Sequence, residues 1–251
     1  MDNKNKIVSL YPLTKLYIAL LIMVATVALP GILSKVICFL ALNIIAVLSG
    51  SWKIFMNRVK NSVGILFVLM IIIQTFFYPS GQVMFSFLGF TAKYEGLIFA
   101  INLGFIILCV GGSLIWFFAV TKEKDFVLAL EKKGMSAKAS YVVLSTLQMV
   151  PVMKKKSQTI MNAQKARGVE TEGSLLVRAK VFVPTIVPLV LSSIAGTEER
   201  ALTLEARGFS SNKQHTYLYN IEERSIDKTI NIILIIGMVA LIAGRIILWL
   251  I

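Results

Sequence analysis

Five apolar runs, at 16–30, 32–50, 62–78, 95–120 and 230–251, decide what this 251-residue chain can fold into. A helix needs roughly 20 apolar residues to cross the hydrocarbon core of a bilayer, where backbone groups find no water and must bond to one another. The composition agrees: 57% of residues are apolar, 16% are charged and the mean hydropathy is +0.78, whereas a soluble domain carries about 25% charged residues. The sequence therefore predicts an all-α integral membrane protein with about five transmembrane helices. Pro30-Gly31 closes the first run early, so spans one and two are expected either as a tight helical hairpin or as two crossings. A further apolar stretch, 181–196, contains Pro184 and Pro188 and reads as a broken or membrane-skimming segment rather than a sixth span.

The charges give an orientation. Of the 26 Lys and Arg, 3 fall in 1–15, 3 in 51–61 and 17 in 121–228, leaving Lys35, Lys93 and Arg245 elsewhere. With five spans and a cytoplasmic N-terminus, all three basic segments face the cytoplasm, as the positive-inside rule requires. The loops around Lys35 and Lys93, and the C-terminus, then face outward. The net charge of +13 is spread along juxtamembrane segments with no nucleic-acid-binding signature, so anionic lipid headgroups are the expected counter-charge. Three regions follow: 1–120 as a membrane region with four transmembrane helices, 121–225 as a cytoplasmic-facing amphipathic segment, and 226–251 as a C-terminal transmembrane helix.

The middle region is too long for an unstructured loop. It reads as a short amphipathic helix over 121–133 closed by Gly134, a second from about Ser136 to Arg167 bent at Pro151, and a third from about Leu176 to Arg207. The last two end on the same tripeptide, Ala166-Arg167-Gly168 and Ala206-Arg207-Gly208, forty residues apart. Glycine ends helices because it takes positive φ without steric cost. One arginine beside such a glycine is ordinary capping, worth ~0.3–1 kcal/mol against the helix dipole. The second copy also matches in its surroundings, with a hydroxyl ten residues earlier (Ser157, Thr197) and an apolar residue after the glycine (Val169, Phe209). The pair reads as two stiff levers with charged tips, and Arg200, Thr203 and Arg207 share one polar face of the second lever. Interfacial helices that only anchor the chain on lipid are the alternative; they account for the amphipathicity but not for the repeated ends.

No chemistry of the chain's own is legible. His215 is the single histidine, so a His-based metal pair or catalytic triad is excluded, and no phosphate-binding Gly-x-x-x-x-Gly-Lys-Ser/Thr loop occurs. Glu198-Glu199 and Glu222-Glu223 lack the arginine of an intramembrane protease, with Thr203 and Asp227 at that position. Cys38 and Cys109 lie in apolar runs as packing residues. No catalytic residue, metal ligand or cofactor is expected. Glu95 and Arg245 are the charges read within spans, both near an interface, so no ion path is marked. Ala100, Gly104 and Gly111 form a small-residue face for close helix approach, either within the chain or to a partner.

These features carry a resemblance. The N-terminal Tyr11-Pro12-Leu13-Thr14-Lys15, the charged segment before the last span, and the two Ala-Arg-Gly motifs, the second within Glu198–Phe209, resemble the transmembrane T component of energy-coupling factor transporters, the cobalt-type permease family. The resemblance extends over nearly the whole chain. It implies a bacterial plasma-membrane subunit that joins a membrane-embedded, vitamin- or metal-binding S component to two cytoplasmic ABC-type ATPases. It also implies that Ala166, Arg167 and Gly168 meet one ATPase while Ala206, Arg207 and Gly208 meet the other. Family members often have Asp before the Pro where this chain has Tyr11, and that stretch receives no role. A stand-alone permease with its own substrate path is the alternative, and a membrane enzyme acting on lipid is a third reading that lacks the required polar cluster.

Overall fold

The computed structural model describes residues 7–79, 82–87, 90–169, 174–211, 219 and 221–250. The elements run α1 (Pro12–Ala28), α2 (Ile32–Leu48), α3 (Trp52–Val59), a π-helical turn (Lys60–Gly64), α4 (Ile65–Phe77), β1 (Val83–Phe87), β2 (Phe90–Lys93), α5 (Tyr94–Val120), α6 (Glu123–Lys132), α7 (Ala137–Ala166), α8 (Leu175–Ala206) and α9 (Ser225–Leu250). The protein is an all-α membrane protein; among the described residues the exception is the antiparallel β1–β2 hairpin. Two compact units form, one from Met1–Gly134 with Ile221–Ile251, the other from Met135–Asn220.

In the first unit α5 is the hub, packing against α1, α2, α3 and α4, while α9 packs along α1. Small residues make that possible. A Cβ on Gly96 would lie 2.5 Å from the Gln74 carbonyl oxygen, one on Gly104 2.5 Å from the Phe67 ring, and one on Gly111 2.8 Å from Val63. Ala100 between them is fully buried. The small-residue face is thus occupied by α4 and the π turn of the same chain. Trp116 is buried where α5 passes the α2–α3 reversal, and its indole donates to Ser49 Oγ at 3.1 Å, the polar partner a buried tryptophan needs. The opposite surfaces carry Ile65, Val68 and Ile72 on α4 and Ile232, Ile236 and Val239 on α9 exposed, as lipid-facing sides should be.

Among the described residues three helices are long and apolar enough to cross a bilayer: Trp52–Phe77, Tyr94–Val120 and Ser225–Ile247. The remaining apolar pair, α1 and α2, has 17 residues each, about 25 Å at 1.5 Å per residue against a core of about 30 Å. Pro12 starts α1 at its first turn, where its missing N–H costs nothing.

One expectation is corrected here, that of a loop around Lys35. The basic stretch 51–61, read as facing the cytoplasm, is helical: α3, the π turn and α4 form one 26-residue helix, with Arg58 and Lys60 on its exposed side and Phe55 and Val59 facing inward. The π turn carries one extra residue and keeps Val63 facing α5 beside Gly111. Lys35 is not in a loop. It lies in the first turn of α2, buried, and donates to Asn102 Oδ1 on α5.

The second unit is built from α7 and α8. Ser136 caps α7, its Oγ accepting the Ala139 N–H at 3.3 Å. Pro151 lies inside α7, and Pro184 and Pro188 inside α8, and both helices continue through them. Pro188 has no N–H to give the Pro184 carbonyl four residues back; Gln164 of α7 donates to it instead, at 3.4 Å. The stretch 181–196 is therefore interior to a continuous 32-residue helix and is not among the three long apolar spans.

Candidate partner-binding site

The two arginine ends share one backbone device. In α7 the Val169 N–H donates to the Gln164 carbonyl (3.1 Å) and Gly168 N–H to that of Lys165 (3.0 Å), with Gly168 at φ +84°. In α8 Phe209 N–H donates to Leu204 (3.0 Å) and Gly208 N–H to Glu205 (2.9 Å), with Gly208 at φ +75°. Both are Schellman terminations, in which a left-handed glycine folds two amides back onto carbonyls the helix leaves open. Arg167 and Arg207 are the C-cap residues. Both are exposed, as are the alanine before and the glycine after each, while Val169 and Phe209 are half-buried. Among the described residues no ion pair holds either guanidinium.

The ends lie far apart. Gln164 reaches Pro184, Lys156 Nζ donates to Ser192 Oγ at 3.0 Å, Ser193 Oγ meets Met153 Sδ at 3.2 Å, and the Tyr141 and Phe209 rings stand 5.1 Å apart. The partners step in opposite directions, so α7 and α8 are antiparallel. Their register sets Arg167 level with the stretch near residue 181, and Arg207 lies roughly 40 Å further along α8 at 1.5 Å per residue. The tips also differ in charge. Lys154, Lys155 and Lys165 share α7 with Arg167, whereas Glu198, Glu199 and Glu205 accompany Arg200 and Arg207. Between them an open apolar groove of about 500 Å³ is lined by Met153, Leu189, Val190, Ile194 and Ala201, with Thr197 and Glu198 at its edge.

Beyond these ends, the described residues of the first unit include a buried polar junction that sequence reasoning left without a role. Tyr11, Leu13, Thr14 and Lys15 of the N-terminal motif are all buried, together with Asp227 of α9. The motif's residue types gave no hint of this, because its partners lie more than a hundred residues away in α6 and α9. His215, expected to be inert, falls outside the described residues.

The sequence profile of a family described as cobalt transport protein, CbiQ, matches residues 3–218. The chain belongs to that family. Among its relatives, an energy-coupling factor transporter transmembrane protein, EcfT, of Streptococcus equi subsp. equi is 30% identical over 202 residues, covering 74% of this chain and 71% of that protein. A protein of the same description from Brevibacillus brevis is 31% identical over 169 residues, covering 62% of each, and one from Leuconostoc gelidum 27% over 172 residues, covering 65% of this chain and 64% of the relative. The resemblance to the T component read from the Ala-Arg-Gly pair is therefore supported over most of the chain, and the protein is a transmembrane component of the energy-coupling factor transporter type.

Proposed function

We infer that this chain is the scaffold and coupling subunit of an energy-coupling factor type importer. Two cytoplasmic ABC-type ATPases hydrolyse ATP, and the chain carries their motion to a separate membrane-embedded subunit that binds a vitamin or transition metal. Arg167 and Arg207, each with its flanking Ala and Gly, dock in the ATPases, one in each. The observation that carries this reading is the pair of identically closed, exposed arginine ends about 40 Å apart on an antiparallel helix pair. A single groove cannot receive both tips at that separation, and two equivalent receptors can. Local capping explains an arginine at a helix end, but not two solvent-facing copies of the same termination. The apolar groove between α7 and α8 supports an apolar partner for the same unit.

On this reading region 121–225 is the coupling segment, the N-terminus is cytoplasmic and the membrane is the bacterial plasma membrane. The absence of a phosphate-binding loop supports leaving hydrolysis to the partners. The test is reconstitution. Purified chain is expected to hydrolyse no ATP, while its complex with two ATPase subunits hydrolyses ATP and drives uptake; turnover by the isolated chain that a mutation within it abolishes would sink the reading.

A further inference from the structure

Asp227, in the first turn of α9, is 1% exposed. Its Oδ2 accepts the N–H of Arg224, the residue before its own helix, at 3.1 Å, and its Oδ1 accepts the N–H of Tyr11, the N-cap of α1, at 3.2 Å. One carboxylate thereby closes two helix N-termini, where the open amides and the dipoles of both helices favour negative charge. Lys15, 4% exposed, donates from Nζ to the Val8 carbonyl at 2.7 Å and stands within electrostatic reach of both Asp227 and Asp125 of α6. Tyr11 also donates its hydroxyl to the Ala129 carbonyl of α6 at 3.4 Å. A carboxylate this deeply buried is tolerated because each charge has partners.

The junction sits where the chain leaves the first unit, after α6 at Gly134, and where it returns, at Ile221. Exit and return are tied to each other. Lys132 Nζ donates to the Ile221 carbonyl, Lys133 pairs with Glu223 at 3.6 Å, and Asn231 Nδ2 holds Glu223 Oε1 at 3.1 Å. Ile221 packs into the cluster of Tyr11, Leu13 and Ala129. Every one of these contacts lies within the first unit, and together they bind α1, α6 and the start of α9 into one foot.

We propose that the Tyr11–Lys15 motif with Asp227 is the fastener of both roots of the 135–220 unit, and that transmission through the chain requires it. With the roots held as one foot, displacement of that unit reaches α1 and α9 as a push; with the roots free, it is spent in parting them. Asp227 is a positioning residue in this scheme, acting through two helix ends and touching no partner. The proposal rests on the coupling reading above.

The test uses the assembled transporter, with nitroxides on cysteines replacing exposed Glu123 of α6 and Lys228 of α9 in a background lacking Cys38 and Cys109. Distance distributions are compared for Asp227, Asp227→Ala and Asp227→Asn; the asparagine keeps an acceptor but loses the charge facing Lys15, which tests the junction even if the alanine variant does not assemble. Expected is a distribution at least two-fold broader for the alanine variant, with asparagine between, and a five- to ten-fold drop in substrate imported per ATP hydrolysed, with ATPase co-purification retained. Unchanged widths in both variants would overturn the fastening. Broader widths with unchanged import per ATP would overturn its role in transmission. A wild-type complex that imports nothing on ATP hydrolysis would count against the coupling reading instead, leaving the label widths to judge the fastener.

Discussion

Replacing Gly96 by Ala tests whether the α4–α5 seam is as close as the glycines demand. The new Cβ would lie 2.5 Å from the Gln74 carbonyl oxygen, 2.9 Å from Tyr78 Cβ and 3.3 Å from the Gln74 carbonyl carbon. The nearest atom is backbone and cannot rotate away. Ordinary contact begins at 3.4 Å, so the helices must part locally by about 0.9 Å. A radial gap of about 0.5–1 Å forfeits a quarter to a half of each dispersion well along the seam, and overpacking of this kind costs ~1–3 kcal/mol. Alanine returns up to ~1 kcal/mol of helix propensity, leaving a net loss of about 1–2 kcal/mol. Gly244 on α9 is the control, since a Cβ there meets nothing within 4 Å; Gly244→Ala gains up to ~1 kcal/mol from propensity alone. Reversible unfolding in mixed detergent micelles reads both midpoints. The two substitutions should move stability in opposite directions, and a Gly96→Ala protein as stable as wild type would refute the reasoning.

Two further outcomes follow from the same structure. With Cys38 and Cys109 replaced, a cysteine at exposed Glu123 should react with a membrane-impermeant maleimide only from the cytoplasmic side and one at Gln82 only from outside; the reverse pattern would invert the orientation. Gly168→Ala and Gly208→Ala force alanine to φ +84° and +75° at a cost of about 1–2 kcal/mol each; with open space around both positions, the loss should appear as several-fold weaker ATPase capture with global stability unchanged.

The architecture was largely legible because its signals are local. Apolar runs mark the long spans, and Gly134, Gly168 and Gly208 end helices where their residue type says they should, each at positive φ. What the sequence concealed depends on contacts distant along the chain. Arg58 and Lys60 marked a basic segment, but that the same stretch is helix follows from its other face, where Phe55 and Val59 are buried. Lys35 was assigned to water because its partner Asn102 is 67 positions away. Asp227 was met only as a residue that fails a protease pattern; an acid in the first turn of an apolar helix was the available signal. The Ala-Arg-Gly pair was readable from spacing and repetition, but the separation of the two tips needed the antiparallel register of α7 and α8, which no periodicity encodes.

The measurement that bears most directly on the central claim is ATPase capture and substrate uptake for Arg167→Ala, Arg207→Ala and the double variant. If the arginines only complement their helix dipoles, each loss costs ~0.3–1 kcal/mol locally and assembly persists. If each enters an acidic groove of an ATPase, truncation strands a desolvated partner charge at about 2–5 kcal/mol. Lysine would then rescue incompletely, for want of the planar fork. Two-point attachment softens each single loss through avidity. The account predicts reduced uptake in each single variant, loss of both capture and uptake in the double, and normal membrane insertion in all three. Full capture and uptake by the double variant would contradict it and return both arginines to helix capping.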